Sequence, residues 1–98
     1  MRKVALLLSL LVAAPTLAQP AVTTAPPSLV REGVTVKLTS HVWVIPDGGA
    51  SLVPNVGIVV GKKAVLVIDT GMGTRNGETV LREVAKVGAG KPIYIVTT

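Results

Sequence analysis

The chain of 98 residues contains no cysteine and no phenylalanine, and it has one tryptophan, one tyrosine and one histidine. The absence of cysteine excludes disulfides, thiolate metal ligands and a cysteine nucleophile. It also suits an oxidising compartment, where a free thiol is a liability. Aromatic side chains fill much of a typical core. Their scarcity, at 2% of the residues, therefore favours a chain that forms part of a larger domain.

Acidic residues are also few, since five Asp and Glu stand against ten Lys and Arg and leave a net charge of +5. Two of the basic residues, Arg2 and Lys3, belong to an N-terminal leader described below. The remaining basic residues are scattered, and only Lys62 and Lys63 are adjacent. Scattered charge is typical of a solvated surface rather than a phosphate-binding patch, and no nucleic-acid-binding motif accompanies it. We therefore expect no nucleic-acid partner.

Aliphatic residues are abundant, and the first run of them predicts a secretory signal peptide over residues 1–18. Arg2 and Lys3 supply its positive start, an apolar stretch follows over residues 4–14, and small residues precede a cleavage site after Ala18. As a helix the apolar stretch spans about 16 Å, against ~30 Å for the hydrocarbon core of a bilayer. We therefore expect a periplasmic or secreted protein with no stable membrane anchor after cleavage.

Residues 19–29 are rich in Pro, Thr and Ala and show no apolar period, which predicts a flexible linker. The folded part is then residues 30–98. The whole chain is 49% hydrophobic and 15% charged, a composition that argues against intrinsic disorder.

The pattern within residues 30–98 predicts an α/β fold with a mixed sheet. Short β-branched runs bounded by Gly, Pro, Asn or Asp predict strands, and apolar residues over 80–87 follow one face of a helix. The predicted elements, in the order β-β-β-β-α-β, are strands 34–38, 42–45, 55–60 and 64–68, helix 77–87 and strand 93–96.

The ends of the predicted helix have recognisable signals. Asn76 is a candidate N-cap, and Glu78 then lies in the first turn, where the helix dipole favours an anion. Gly88 and Gly90 are candidates to end the helix. Because a helix connects strands 64–68 and 93–96, we expect those strands to be parallel.

The central strands are apolar at consecutive positions rather than at alternate ones, as in Ile58-Val59-Val60 and Val65-Leu66-Val67-Ile68. Such runs are typical of strands that are covered on both faces. One helix cannot cover both faces of a five-stranded sheet. The pattern therefore predicts that the chain is part of a larger α/β domain.

A carboxylate follows one of these apolar runs, in the sequence Asp69-Thr70-Gly71. Active sites of open α/β sheets collect at the carboxyl ends of parallel strands, and Thr97-Thr98 ends the expected partner strand. Asp69 can accept hydrogen bonds from the backbone of a neighbouring loop and hold it in place. The alternative is local, with Asp69 capping its own turn and Gly71 and Gly73 permitting that turn.

The order of elements, with "NVGIVVGKKAVLVIDTGMG" followed by a helix and then "KPIYIVTT", resembles the N-terminal half of the metallo-β-lactamase fold family, an αββα fold. The resemblance covers about residues 34–98. It matches Asp69 to an aspartate that supports the metal-binding loop from outside the ligand set, together with Thr70 and Gly71. It matches Thr98 to the threonine before the motif His-x-His-x-Asp-His. The resemblance therefore implies that the chain stops just before that motif.

The chemistry that the resemblance implies is hydrolysis of a small-molecule substrate assisted by one or two zinc ions. No metal ligand and no catalytic residue of that family is matched within these 98 residues. His41, the single histidine, lies in a predicted turn without a second ligand at suitable spacing. In this family the loop corresponding to residues 46–54 lies along the rim of the substrate groove, and its glycines would suit a mobile flap.

Two other classes of protein remain open from the sequence. An aspartic protease of the retroviral type also has an apolar run into Asp-Thr-Gly, and Asp69 would then be one of two catalytic carboxylates. Against this, a helix rather than a strand is predicted after Gly71. The second class is a non-catalytic, secreted β-rich binding module that uses Trp43 and the glycine loop as its contact surface.

We predict that the mature chain begins at Gln19, because Thr16-Leu17-Ala18 places small residues at the two positions that signal peptidase recognises. Intact-mass measurement of the protein recovered from the secretory compartment checks this. Retention of Met1 would contradict the prediction.

Overall fold

The computed structural model describes residues 11–15, 20 and 27–98. The predicted signal peptide (1–18) and linker (19–29) lie largely outside the described residues. No helix among the described residues has the length and hydropathy needed to cross a bilayer. The elements are β1 (Val36–Lys37), β2 (Val42–Ile45), β3 (Val56–Val60), β4 (Val65–Ile68), α1 (Gly73–Gly88) and β5 (Ile93–Val96). The predicted order β-β-β-β-α-β is confirmed, and the first predicted strand is shorter than expected.

The five strands form one mixed sheet in the order β1-β2-β3-β4-β5. Neighbours pair antiparallel from β1 to β4, whereas β4 and β5 are parallel, as predicted, with Ile68 paired to Val96. The parallel pair follows from the connection through α1, which returns the chain to the same end of the sheet. The structure is therefore an α+β arrangement of a mixed sheet and one helix.

Helix α1 starts earlier than the sequence indicates. It begins at Gly73 and not at residue 77, with Met72 in the N-cap position and no side-chain cap. The expectation that Asn76 is the N-cap is therefore wrong, and Glu78 lies beyond the first turn. Asn76 is buried in the fourth helical position, because its side chain is used for tertiary contacts described below.

The helix ends where the sequence predicts. Gly88 is its last residue, and Ala89 and Gly90 follow in left-handed conformations, which terminate a helix. A side chain on Gly88 would place its Cβ 2.8 Å from Cγ2 of Val65. Glycine at position 88 therefore lets the end of α1 approach β4 closely.

The core lies between α1 and one face of the sheet. Val80 and Val84 of α1 pack against alternate residues of β2, β3 and β4, and residues from the preceding segments close the edges of this layer. The buried apolar residues are Val30, Ile45, Val53, Val56, Ile58, Val65, Val67, Val80 and Val84. Burial of aliphatic side chains, at about 1.5–3 kcal/mol each, is the main term that stabilises this layer.

The opposite face of the sheet is also apolar and is open among the described residues. Pairing and alternation place Leu66 and Tyr94 side by side on this face, with exposures of 39% and 65%. Val36 and Val96 extend it to the two edge strands and are also exposed. The sequence pattern predicts cover on both faces, and in the described residues α1 covers only one.

An N-terminal strap, residues 28–35, crosses α1 and is bound to it by two buried polar side chains. Asn76 accepts a hydrogen bond from the Val30 backbone N–H at 2.8 Å. Two helical turns further along α1, Glu83 accepts a hydrogen bond from the Gly33 N–H at 2.8 Å and another from the Thr35 hydroxyl. The strap therefore depends on side chains that are about fifty positions away in sequence.

Glu83 is 1% exposed, yet its carboxylate has a full set of partners. Burial raises the pKa of this carboxyl, but hydrogen bonds from Lys86, Thr35 and Gly33 outweigh burial and hold the pKa below its ordinary value. Lys86 Nζ lies 2.6 Å from Glu83 Oε1. The ionised carboxylate is thus the form that fastens the strap.

We predict that Glu83→Gln lowers the free energy of unfolding by about 1–3 kcal/mol, because it leaves buried hydrogen-bonding groups without a matched partner. Because the pKa of Glu83 is depressed in the folded state, the stability that its ionised carboxylate contributes is fully present above the pKa of the unfolded state, about 4.3. That stability is lost as the pH falls through the pKa of the folded state. Urea unfolding of the dilute chain at several pH values checks this. Glu78→Gln, at an exposed position on the same helix, is the matched control and should change little.

We predict that the chain self-associates as its concentration rises, because the open face of the sheet is a contiguous apolar patch. Leu66→Lys combined with Tyr94→Glu should reduce association, since it places an opposite-charge pair across two adjacent strands. Leu81→Lys, at an exposed position on α1, should not. Sedimentation velocity over a concentration series measures the effect. A monomeric wild-type chain with a sharp thermal transition would contradict the prediction.

Candidate functional site

The candidate site lies where β4 and β5 end. Since these strands are parallel and in register, Asp69 and the pair Thr97-Thr98 emerge at the same edge of the sheet. The Asp69 N–H donates to the Val96 carbonyl at 2.9 Å and extends the pairing by one residue. The sequence prediction that these residues share one edge is confirmed.

The Asp69 carboxylate grips Thr98 with both of its oxygens. Oδ1 accepts a hydrogen bond from the Thr98 backbone N–H at 2.8 Å, and Oδ2 accepts one from the Thr98 hydroxyl at 2.8 Å. The backbone N–H of Thr98 and then its hydroxyl hold the pKa of Asp69 below its ordinary value. Asp69 therefore braces the neighbouring strand end in its ionised form.

The alternative that Asp69 caps its own turn does not describe this geometry. In the turn itself, the Thr70 hydroxyl donates to the Gly71 carbonyl at 3.2 Å, while the Asp69 side chain points to the next strand. Asp69 has a φ of 60°, in the left-handed region. Gly71, with a φ of 75°, continues the sharp turn that leads into α1.

An open cleft of about 280 Å³ lies over this edge. Its walls come from three segments: the turn after β4, the end of β5 and the loop 46–54. The lining residues are Leu52, Pro54, Asp69, Thr70, Gly71, Met72, Thr97 and Thr98. The structure thus brings Asp69, Thr70 and Gly71 together with the loop that the sequence singled out.

Loop 46–54 presents an apolar side chain at the rim of the cleft. Leu52 is 73% exposed and has a φ of 61°, in the left-handed region that is unusual for a residue with a branched side chain. At the base of the loop, the Asp47 N–H donates to Asn55 Oδ1 at 2.9 Å, and the Gly49 N–H donates to Asp47 Oδ1 at 2.8 Å. The base of the loop is therefore hydrogen-bonded, and its apolar tip faces solvent beside Asp69.

No cluster of three or more His, Cys, Asp or Glu side chains occurs within the residues that the structure describes. His41 lies in the exposed bend between β1 and β2, where its backbone N–H donates a hydrogen bond to the Thr39 hydroxyl oxygen at 3.2 Å. The His41 carbonyl accepts from the N–H of Val60, the last residue of β3. His41 is thus at the opposite edge of the sheet from Asp69 and does not contribute to the cleft.

Trp43, the candidate contact residue of a binding module, is half-buried on the helix side of the sheet. It packs against the core, and Lys37 Nζ lies 5.6 Å from the centroid of its ring. Packing and this cation–π contact account for its position.

Sequence reasoning identified the braced edge but not all of its parts. It placed Thr98 at the edge without predicting that Thr98 is the direct partner of Asp69. The sequence pattern predicts Asn76 as a helix cap, whereas its amide donates to the Met72 carbonyl and to the Ser28 carbonyl of the N-terminal strap. An asparagine shortly before an apolar helical stripe is typical of an N-cap, and only the start of α1 at Gly73 shows that Asn76 lies inside the helix.

Comparison with protein families finds no family profile that matches this chain. Comparison with curated proteins likewise finds no match.

We predict that Thr98→Val raises the pKa of Asp69 toward its ordinary value, because valine keeps the shape of threonine but removes the donating hydroxyl. Carbon-13 NMR of a chain labelled at the aspartate carboxyl carbons measures this, since Asp47 and Asp69 are the two aspartates of the sequence. Thr97→Val is the matched control and should leave the titration unchanged. An unchanged Asp69 titration in Thr98→Val would contradict the hydrogen bond from the Thr98 hydroxyl to the Asp69 carboxylate.

Proposed function

We propose that this chain is the N-terminal part of a secreted or periplasmic zinc-dependent hydrolase of the metallo-β-lactamase fold. The observation that carries the proposal is the pair of hydrogen bonds that the Asp69 carboxylate accepts from Thr98. A carboxylate with both oxygens engaged fixes the backbone at the carboxyl end of β5. In the proposed hydrolase the ligand-bearing loop would start from this hydrogen-bonded strand end, beside an open cleft.

The open face of the sheet supports the same proposal at the level of the fold. An apolar face that spans all five strands needs a second layer. In the proposed αββα arrangement a second sheet packs on this face, and α1 belongs to one of the two outer layers. The coarse α+β arrangement of the described residues is compatible with half of such a fold.

The chain has one histidine and no cysteine, and its described residues contain no group of three or more His, Cys, Asp or Glu side chains placed to hold a metal ion. In the proposed hydrolase the ligands come from the sequence after Thr98. Zinc bound there would supply an activated water and polarise the bond to be cleaved. The part played by this chain is to hold the ligand loop through Asp69 and to form one wall of the cleft.

The wall of the cleft favours a small-molecule substrate with an apolar portion. Leu52 and Met72 are exposed apolar side chains, and Pro54 is a third apolar residue of the lining. In the proposed role, loop 46–54 forms the rim of the substrate groove and its tip contacts the substrate. Apolar walls bind a substrate, while a few polar groups orient it.

The aspartic protease alternative has less support. A catalytic aspartate of that class shares a proton with a second carboxylate, whereas the oxygens of Asp69 accept hydrogen bonds from Thr98. The chain after Gly71 enters α1 rather than a strand. Both observations favour a bracing role for Asp69 over a catalytic one.

We predict that the reading frame after the codon for Thr98 encodes His-x-His-x-Asp-His within a few codons, and that a chain extended through it retains zinc. In that chain Asp69→Ala should weaken zinc retention by about 10–100-fold, as loss of a residue that supports a ligand loop does. Competition with a chelator of known affinity measures it, and Glu78→Ala on the exposed face of α1 is the control.

Two further results bear on the proposal. The 98-residue chain by itself should show no stoichiometric zinc site in calorimetric titration. An open downstream frame without a histidine cluster would overturn the zinc hydrolase proposal and favour the protease alternative.

A further inference from the structure

Asn76 is a buried polar residue whose contacts are not explained by the helix that contains it. It is 3% exposed and lies in the first turn of α1. Asparagine is a poorer helix former than alanine, and its side chain competes with the backbone for hydrogen bonds. A buried asparagine at this position therefore needs tertiary contacts to stabilise it.

The side-chain amide of Asn76 joins three segments. Its Oδ1 accepts a hydrogen bond from the Val30 N–H at 2.8 Å, and its Nδ2 donates one to the Ser28 carbonyl at 2.9 Å. The amide therefore both accepts from and donates to the backbone of the strap. The second hydrogen on Nδ2 is donated to the Met72 carbonyl oxygen, which lies 2.9 Å from Nδ2. One acceptor and two donors are required here, and the asparagine side chain provides that set at this length.

The turn after Asp69 rests directly on this amide. A Cβ built on Gly71 would lie 3.0 Å from Asn76 Nδ2 and 3.1 Å from Val30 Cγ2. Gly71 is thus packed against Asn76 and the strap, and Met72 is hydrogen-bonded to the same amide. The two residues that end the turn therefore both contact one side chain, that of Asn76.

Asp69 itself needs such support. Its φ of 60° is a left-handed conformation for a residue other than glycine, and such conformations persist when the surrounding structure holds them. We propose that Asn76 is a positioning residue, which locks the Asp69-Thr70-Gly71 turn against the N-terminal strap and so keeps the Asp69 carboxylate aimed at Thr98. The geometric part of this inference stands on the described contacts, while its importance for a metal loop rests on the proposed function.

The test compares Asn76→Ala with Thr79→Ala in the 98-residue chain, with carboxyl-labelled aspartate. Thr79 is a matched control, because it is buried on the same helix and its hydroxyl donates to the Arg75 carbonyl and accepts from Arg82, with no hydrogen bond to the turn. Both substitutions leave the net charge unchanged, so neither adds or removes a full charge near Asp69. Asn76→Ala should raise the pKa of Asp69 toward its ordinary value, whereas Thr79→Ala should not.

Amide exchange gives a second readout. Exchange of the Thr98 N–H should become about tenfold faster in Asn76→Ala, while amides of β2 and β3 keep their protection. A general loss of protection, or an equal shift in Thr79→Ala, would show that Asn76 only stabilises the fold. An unchanged Asp69 titration in folded Asn76→Ala would overturn the inference.

A second variant keeps the inference testable if Asn76→Ala does not fold. Gly71→Ala retains the Asn76 amide but pushes the turn away from it, because the added Cβ meets Asn76 and Val30 and the φ of 75° disfavours alanine. Gly71→Ala should therefore also raise the pKa of Asp69. An Asp69 titration that is unchanged in this variant would count against a turn locked on Asn76.

These measurements need neither zinc nor any sequence after Thr98, so they separate the two proposals. Absence of zinc binding in an extended chain would overturn the proposed hydrolase and leave the role of Asn76 in the turn intact. In an extended chain that does bind zinc, Asn76→Ala should weaken retention in the same direction as Asp69→Ala, and Thr79→Ala should not. Equal retention in Asn76→Ala and wild type would confine Asn76 to the geometry of the turn and overturn its role in supporting the metal loop.

Discussion

The candidate site depends on the parallel pairing of β4 with β5. Because α1 returns the chain to the end of the sheet at which β4 begins, β4 and β5 run in the same direction and end at the same edge. Asp69 and Thr98, twenty-nine positions apart, become neighbours through this pairing. An antiparallel β5 would place Thr98 at the far edge, beside the turn that contains Lys62, and the carboxylate of Asp69 would have no partner there.

Helix α1 holds the structure together by two different kinds of contact. Its apolar stripe, with Val80 and Val84, packs on the sheet and forms the core. Its buried polar residues, Asn76 and Glu83, bind the N-terminal strap through directional hydrogen bonds. Apolar packing fixes the distance between helix and sheet, while the hydrogen bonds fix where the strap crosses. The Asp69 turn lies where these two sets of contacts meet.

The small number of elements outside the sheet among the described residues explains its open face. One helix and one strap cover a single side, and the alternate residues of the strands on the other side remain exposed, among them Leu66 and Tyr94. An aliphatic face of this extent is unfavourable in water. It accounts for the continuous apolar runs of β3, β4 and β5, because each of these strands has apolar residues on both of its faces.

The sequence by itself determined the order of elements, the parallel pair and the edge at which Asp69 lies, because these follow from local hydrophobic period and from chain connectivity. The start of α1, the partner of Asp69 and the burial of Asn76 and Glu83 were decided only by the tertiary structure. An asparagine near a helix start satisfies a cap or a distant backbone equally well in local terms. Contacts between positions about fifty residues apart have no local signal, and their free energy appears only once the strap and the helix are packed together.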